Sequence, residues 1–252
     1  TKKGIYPAGA AGTSPGGISI ELPRPVDTTT DSLQVEAGYS RKPFFLSVNY
    51  LLGTFDNDVE NLFFRNPATD NTAATTDALT SSPDNRYWRL GLKGSVKLPL
   101  QSKMSMNLAS SRMTSESSLL SSYVSNVTAA GSNVGVQGRT GILLSDATFN
   151  GKRDVLNYDF ALVSTPLSRL DTRIFYKHYE TNNKSDRIAT TDSTESPSTF
   201  TNDLFDYRKD RYGLELGFRL PAKIYLSTGY TYTHVKRQRE DIPENDDDLF
   251  AV

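Results

Sequence analysis

The sequence predicts an all-β fold, an antiparallel β-barrel whose wall crosses a membrane. Three observations lead there: about eight stretches alternate apolar and polar residues, tight basic turns join them in pairs, and long polar connections separate the pairs. In residues 86–98, Trp88, Leu90, Leu92, Val96 and Leu98 fall on one face and Arg89, Gly91, Lys93, Ser95 and Lys97 on the other. A strand with one oily face and one cationic face needs lipid or a core on the first side and water on the second.

The same pattern recurs along the chain. Leu33, Val35, Ala37 and Tyr39 share a face, and after a turn at 41–43 so do Phe44, Leu46, Val48, Tyr50 and Leu52. Beyond 86–98 comes a turn at 99–103, then Met104, Met106 and Leu108, with Ser105, Asn107 and Ala109 opposite. Leu156, Tyr158, Phe160 and Leu162 form the next row, which resumes after a turn at 166–169 with Ile174 and Tyr176. Tyr212, Leu214, Leu216, Phe218 and Leu220 lead to the turn 221–223, followed by Ile224, Leu226, Thr228, Tyr230 and Tyr232. Proline suits such turns because it donates to no ladder and fixes φ. The lipid-facing residues expected from these rows include Leu46, Val48, Trp88, Leu90, Leu92, Phe160, Leu214, Leu216 and Phe218.

The other connections, over 56–85, 114–152 and 180–206, are long and polar. Short turns at one end and long loops at the other match an outer-membrane barrel, with the turns in the periplasm and the loops outside. A soluble sandwich, the alternative fold, uses short connections at both ends more often. The expected organisation is a polar, irregular segment or incomplete strand over 1–30, barrel strands over 31–239, and an acidic loop or truncated end over 240–252. The ends read as those of a processed chain or of part of a longer polypeptide.

Composition narrows the options. No run among the 252 residues approaches the roughly 20 apolar residues of a membrane helix, so helical insertion is excluded. A mean hydropathy of -0.47 is compatible with a barrel, because only every second strand residue meets lipid. A net charge of -1 points to no nucleic-acid partner. With no cysteine, the chain has no disulfide, no thiolate metal site and no covalent attachment for a c-type haem.

The inward rows carry Arg89, Lys93, Lys97, Arg173, Lys177, Arg211 and Arg219 against Glu36, Asp159, Asp171 and Glu215. This mixed but cationic lining suits water, haem propionates or an acidic surface. Mutual pairing of these charges inside a narrow barrel is the alternative. The only histidines, His178 and His234, share a face with tyrosines, which makes them polar members of an interfacial girdle with Tyr176, Tyr230 and Tyr232; a metal or haem-ligand role is the other option. Serines at 110–125 have no histidine or aspartate at recognisable spacing, so no catalytic residue is expected. The acidic runs 186–206 and 241–248 lack the ligand order of a calcium loop and read as solvated surface. No metal ligand set is assigned. The glycines at 131–141 read as loop and not as a phosphate cradle, and the sequons at Asn126 and Asn183 carry little weight.

A family resemblance covers roughly residues 23–239. Pro25-Val26-Asp27 with Thr28 and Thr30, then Gly53-Thr54-Phe55-Asp56-Asn57, Phe64-Arg65-Asn66-Pro67, Pro83-Asp84-Asn85 and Leu98-Pro99 follow one another in order. Phe149-Asn150-Gly151, the turn Thr165-Pro166-Leu167-Ser168-Arg169-Leu170 and the strand with Tyr176 and Tyr179 continue the series. Together they resemble the decahaem-associated outer-membrane barrels of the MtrB/PioB type. That resemblance implies a porin-like sheath around a periplasmic multihaem c-type cytochrome, which passes electrons to an extracellular multihaem cytochrome and on to outside acceptors such as metals. The sheath itself would bind no cofactor, the haem being carried by the partners; its other neighbour would be the lipid of a Gram-negative outer membrane. Asp159, Glu215 and the seven cations above would then line the lumen and contact the partner.

Strand number tests that implication. About eight strands close around an interior that side chains just fill, whereas an open or plugged lumen takes about 16 or more. Eight strands cannot surround a multihaem protein, so the chain is expected to be part of a larger barrel, unless it forms a small closed one. A porin without a redox partner is the rival function, and an outer-membrane enzyme would need a histidine constellation the sequence does not show.

Overall fold

The computed structural model describes residues 1–10, 20–65, 76–119, 142–192, 198–221, 224–238 and 243–251. The strands are β1 (Lys2–Ala10), β2 (Ile20–Arg41), β3 (Phe44–Asn57), β4 (Asn61–Arg65), β5 (Thr76–Thr80), β6 (Asp84–Leu98), β7 (Ser102–Ser118), β8 (Ile142–Leu144), β9 (Thr148–Leu167), β10 (Leu170–Asn183), β11 (Ala189–Asp192), β12 (Ser198–Thr201), β13 (Tyr207–Arg219), β14 (Tyr225–Arg237) and β15 (Glu244–Ala251). Ten of them form one sheet in the order β1-β2-β3-β6-β7-β9-β10-β13-β14-β15, every neighbour antiparallel. Strands β1 and β15 are its two edges, so the sheet does not close on itself.

All eight alternating stretches are strands of this sheet, and two edge strands join them. The acidic loop expected over 240–252 is replaced by β15 over its described part. Glu-Asn-Asp-Asp-Asp has no apolar row to betray a strand; cross-strand bonds hold it, with the Tyr230 hydroxyl donating to Asp248 at 2.5 Å and the Tyr232 hydroxyl to Asp246 at 2.7 Å. These carboxylates are therefore partnered and not merely solvated. Of the two readings offered for 1–30, an irregular segment or an incomplete strand, the described residues take the strand: β1 and the first half of β2 pair from Lys2 opposite Thr28 to Ala10 opposite Ile20.

The short connections are tighter than the sequence suggested. Leu167 pairs with Leu170, leaving a two-residue turn, and the register shift between Leu170 and Thr172 places Pro166 in a bulge, where its missing N–H costs no ladder bond. At the next hairpin back, the Ser102 N–H donates to the Pro99 carbonyl at 3.2 Å, and Leu100 and Gln101 have φ of 57° and 51°. Both central residues are left-handed, as a type I′ turn requires. The Lys42–Pro43 peptide in the first turn is cis.

At the other end the strands run on. At about 3.3 Å per residue, the 20 residues of β9 span about 66 Å, whereas about 9–11 tilted residues cross a bilayer. The long loops contain structure of their own: β4 pairs with β5, and β11 pairs with both β8 and β12, tying the second and third loops together. The 131–141 glycines, the Asn126 sequon, and Asn66 and Pro67 of the family-like series lie outside the described residues.

Directly opposed residues of antiparallel strands share a face, so the register sorts side chains across the sheet. One face carries Val48 opposite Leu92, Leu92 opposite Leu108, Met106 opposite Phe160, Phe160 opposite Tyr176, and Ile174 opposite Leu214. Leu46, Leu90, Phe160, Ile174, Leu214 and Phe218 are all exposed on it. Only Ala109, Phe175, Ile188 and Val235 are buried hydrophobics among the described residues, so no second layer covers the apolar face. A soluble sandwich would bury that face against another sheet.

Candidate functional site on the polar face of the sheet

The opposite face collects the charges. The register places Arg89, Lys93, Lys97, Asp159, Arg173, Lys177, Arg211, Glu215 and Arg219 all on it, while Leu46, Val48, Trp88, Leu90, Leu92, Phe160, Leu214, Leu216 and Phe218 all lie on the apolar side. One row crosses five strands: Lys93, Asn107, Asp159, Lys177 and Arg211, each opposite the next. A second row runs Lys97, Lys103, Val163, Arg173 and Glu215.

The four acids expected in the lining are all engaged. Arg173 donates from Nη1 to both Glu215 oxygens at 2.9 and 3.0 Å, and Arg219 from Nη2 to both Asp171 oxygens at 2.8 and 2.7 Å. Asp159 accepts from Asn107 at 3.3 Å, and Glu36 from the buried Ser47 hydroxyl at 2.6 Å. By contrast Arg89, Lys93, Lys97, Lys177 and Arg211 form no ion pair with any described residue. The pairing that would neutralise the lining is therefore partial, and positive charge is left over.

Sequence reasoning missed Lys103, Arg153 and Lys209, which the register adds to this face, and Phe175. Phe175 is an aromatic in a polar row, only 5% exposed, lying between Arg173 and Arg211, whose guanidinium carbons are 4.9 and 5.8 Å from the ring centroid. It fits because its neighbour across the strand is Gly213. A Cβ there would stand 2.6 Å from the ring and 2.7 Å from the Tyr230 carbonyl oxygen. The available signal was a Phe at an inward position paired with a Gly, legible only once the register is known.

The two histidines sit on the apolar face, at the long-loop end of its rows. His178 is buried, stacked on Tyr158 at 4.4 Å, with Nδ1 2.6 Å from Asp210 and Nε2 3.3 Å from Glu180. Tyr176 donates to the same Asp210 oxygen at 2.6 Å, and Arg208 to the other at 2.9 Å. His234 repeats the arrangement with Asp246. With Tyr158, Tyr176, Tyr212 and Tyr232 packed nearby, these groups form a polar aromatic band where the apolar rows end. Among the described residues, no group of three or more histidine or acidic side chains is arranged to hold a metal ion.

An antiparallel sheet with one uncovered apolar face, one cationic face and an aromatic band is a membrane-barrel wall in its physical chemistry. Comparison by sequence agrees: the family described as an outer membrane beta-barrel porin, MtrB/PioB, matches residues 1–252. The chain belongs to the MtrB/PioB porin family. Membership over the whole chain makes this MtrB/PioB-type protein an outer-membrane β-barrel porin, located in the outer membrane. No curated protein matches the chain.

Proposed function

We propose that this MtrB/PioB-family chain forms part of a porin-like sheath, which holds a multihaem c-type cytochrome across the outer membrane of a Gram-negative bacterium and so supports extracellular electron transfer, for example to metals. The observation that carries the reading is the unbalanced cationic face, set back to back with an exposed apolar face. Lipid covers the side with Leu92, Phe160 and Leu216; the side with Arg89, Lys93 and Arg211 lines the lumen and meets the acidic surface or haem propionates of the cytochrome. A ten-stranded sheet with two open edges is too small to surround a haem protein, so further strands complete the wall in this reading. The wall does no redox chemistry and no catalysis. Lacking cysteine, it attaches no c-type haem, and its role is to exclude lipid, orient the periplasmic cytochrome and present it to an extracellular one.

Liposomes test this. Vesicles holding the complete barrel with its cytochromes should reduce an external acceptor from an internal donor, and vesicles with the barrel alone should not. Free passage of ions or sugars through the barrel alone, with no haem protein retained, would replace the sheath with an independent porin.

A further inference from the structure

We infer that Lys177 and Arg211 form a carboxylate-binding site on the polar face, and that it takes an acidic protein segment lying along the sheet. The inference rests on the sheath reading for which face meets a partner, and deepens it by assigning the contact. Lys177 on β10 and Arg211 on β13 are directly opposite each other, and like charges in that position destabilise a sheet. Among the described residues neither cation forms an ion pair. Asp159 faces Lys177 from β9, yet it accepts from Asn107 and makes no ion pair, while Glu215 is held by Arg173. Asp247 stands two strands away from Arg211, across Thr233.

A second observation is independent of the charge count. Arg211 Nε is buried with no hydrogen-bond partner, and a buried donor left unpaired costs the full desolvation penalty of the group. Beneath it lies the buried Phe175 ring, seated on Gly213, a floor of low polarity that strengthens the attraction for an anion. A guanidinium beside an ammonium matches the two oxygens of a carboxylate. The occupant is an extended acidic segment and not one small ion because the cations form a track: Lys93 lies in the same row three strands from Lys177, about 14 Å away at the spacing of a sheet. Lys97 and Lys103, another directly opposed like-charged pair, extend the track towards the short turns.

The test uses the full chain in detergent micelles with a fluorescent hexaglutamate peptide as probe. Binding should weaken about tenfold or more in the Lys177→Gln, Arg211→Gln double variant and fall steeply with salt, whereas Lys236→Gln on the other face should change it less than about twofold. Equal losses in the two variants would mean attraction to net charge alone and would overturn the site. Without peptide, Lys177→Gln by itself should raise the unfolding temperature by about 1–2 °C, because a repulsion is removed; a lower value would show that Lys177 is balanced within the wall and overturn the inference. Vesicles separate this claim from the sheath. Unaltered cytochrome retention in the double variant, with electron transfer intact, overturns the site and leaves the sheath standing. Peptide binding that depends on the pair, in a barrel that supports no electron transfer, supports the site and overturns the sheath.

Discussion

The chain writes one local motif twice, Tyr-x-His on one strand opposite Asp on the next, with different results. In Tyr176-Lys177-His178 with Asp210, the histidine and aspartate side chains are 3% and 11% exposed; in Tyr232-Thr233-His234 with Asp246, they are 21% and 50% exposed. The hydrogen bonds are nearly the same, a tyrosine hydroxyl and an imidazole sharing one carboxylate oxygen. What differs is the neighbours. The first cluster lies inside the sheet, where β9 supplies the Tyr158 ring as a lid over His178 and Arg208 takes the second Asp210 oxygen. In the second, Asp246 belongs to the edge strand, with no strand beyond it among the described residues. Cross-strand chemistry is set locally, and its worth is set by the strand on the far side.

The largest expected effect tests the ground on which both clusters stand, the apolar rows of their face. Replacing Leu92, Phe160 or Leu216 with Arg should destabilise the barrel by about 2–4 kcal/mol, while Lys93→Ser on the opposite face should be mild, as read from urea unfolding in lipid vesicles. Equal tolerance of both sets would place lipid elsewhere and dissolve the comparison.

The next effect separates the clusters themselves. Asp210→Ala leaves the Tyr176 hydroxyl and the buried His178 ring without their acceptor, while the exposed Arg208 turns to water, and should cost about 2–3 kcal/mol. The corresponding Asp246→Ala should leave the unfolding midpoint nearly unchanged, since water replaces an exposed carboxylate. Similar losses at both positions would mean that a further strand covers β15 in the assembled barrel. The smallest effect sharpens the difference: Tyr158→Leu removes the ring over His178 and should cost about 0.5–1.5 kcal/mol. It should also speed hydrogen exchange at the His178 amide towards the rate at His234, and an unchanged rate would show that the lid is not what shelters the inner cluster.

Much of the fold was legible because its signal is local. A period of two puts Trp88, Leu90 and Leu92 on one face and Arg89, Lys93 and Lys97 on the other whatever the strand pairs with, and short turns with proline or basic residues mark where one strand reverses into the next. From the sequence alone followed the all-β class, the two faces and the hairpin ends. Strand β15 was not legible because its acidic start carries no apolar row, β1 was legible only as one of two options for the same reason, and the outer parts of β7 and β9 were not because they run past the apolar band into polar residues.

Register belonged to the tertiary structure. Which cation meets which acid depends on strands far apart in the chain: Arg173 finds Glu215 and Arg219 finds Asp171, whereas Lys177, between Asp159 and Arg211, forms no ion pair among the described residues. The seat of Phe175 on Gly213 and the shared carboxylate of Asp210 have the same origin. Alternation says which side of a strand a residue faces; only the pairing of strands says what stands beside it there, and a charge is neutral, strained or available according to that neighbour.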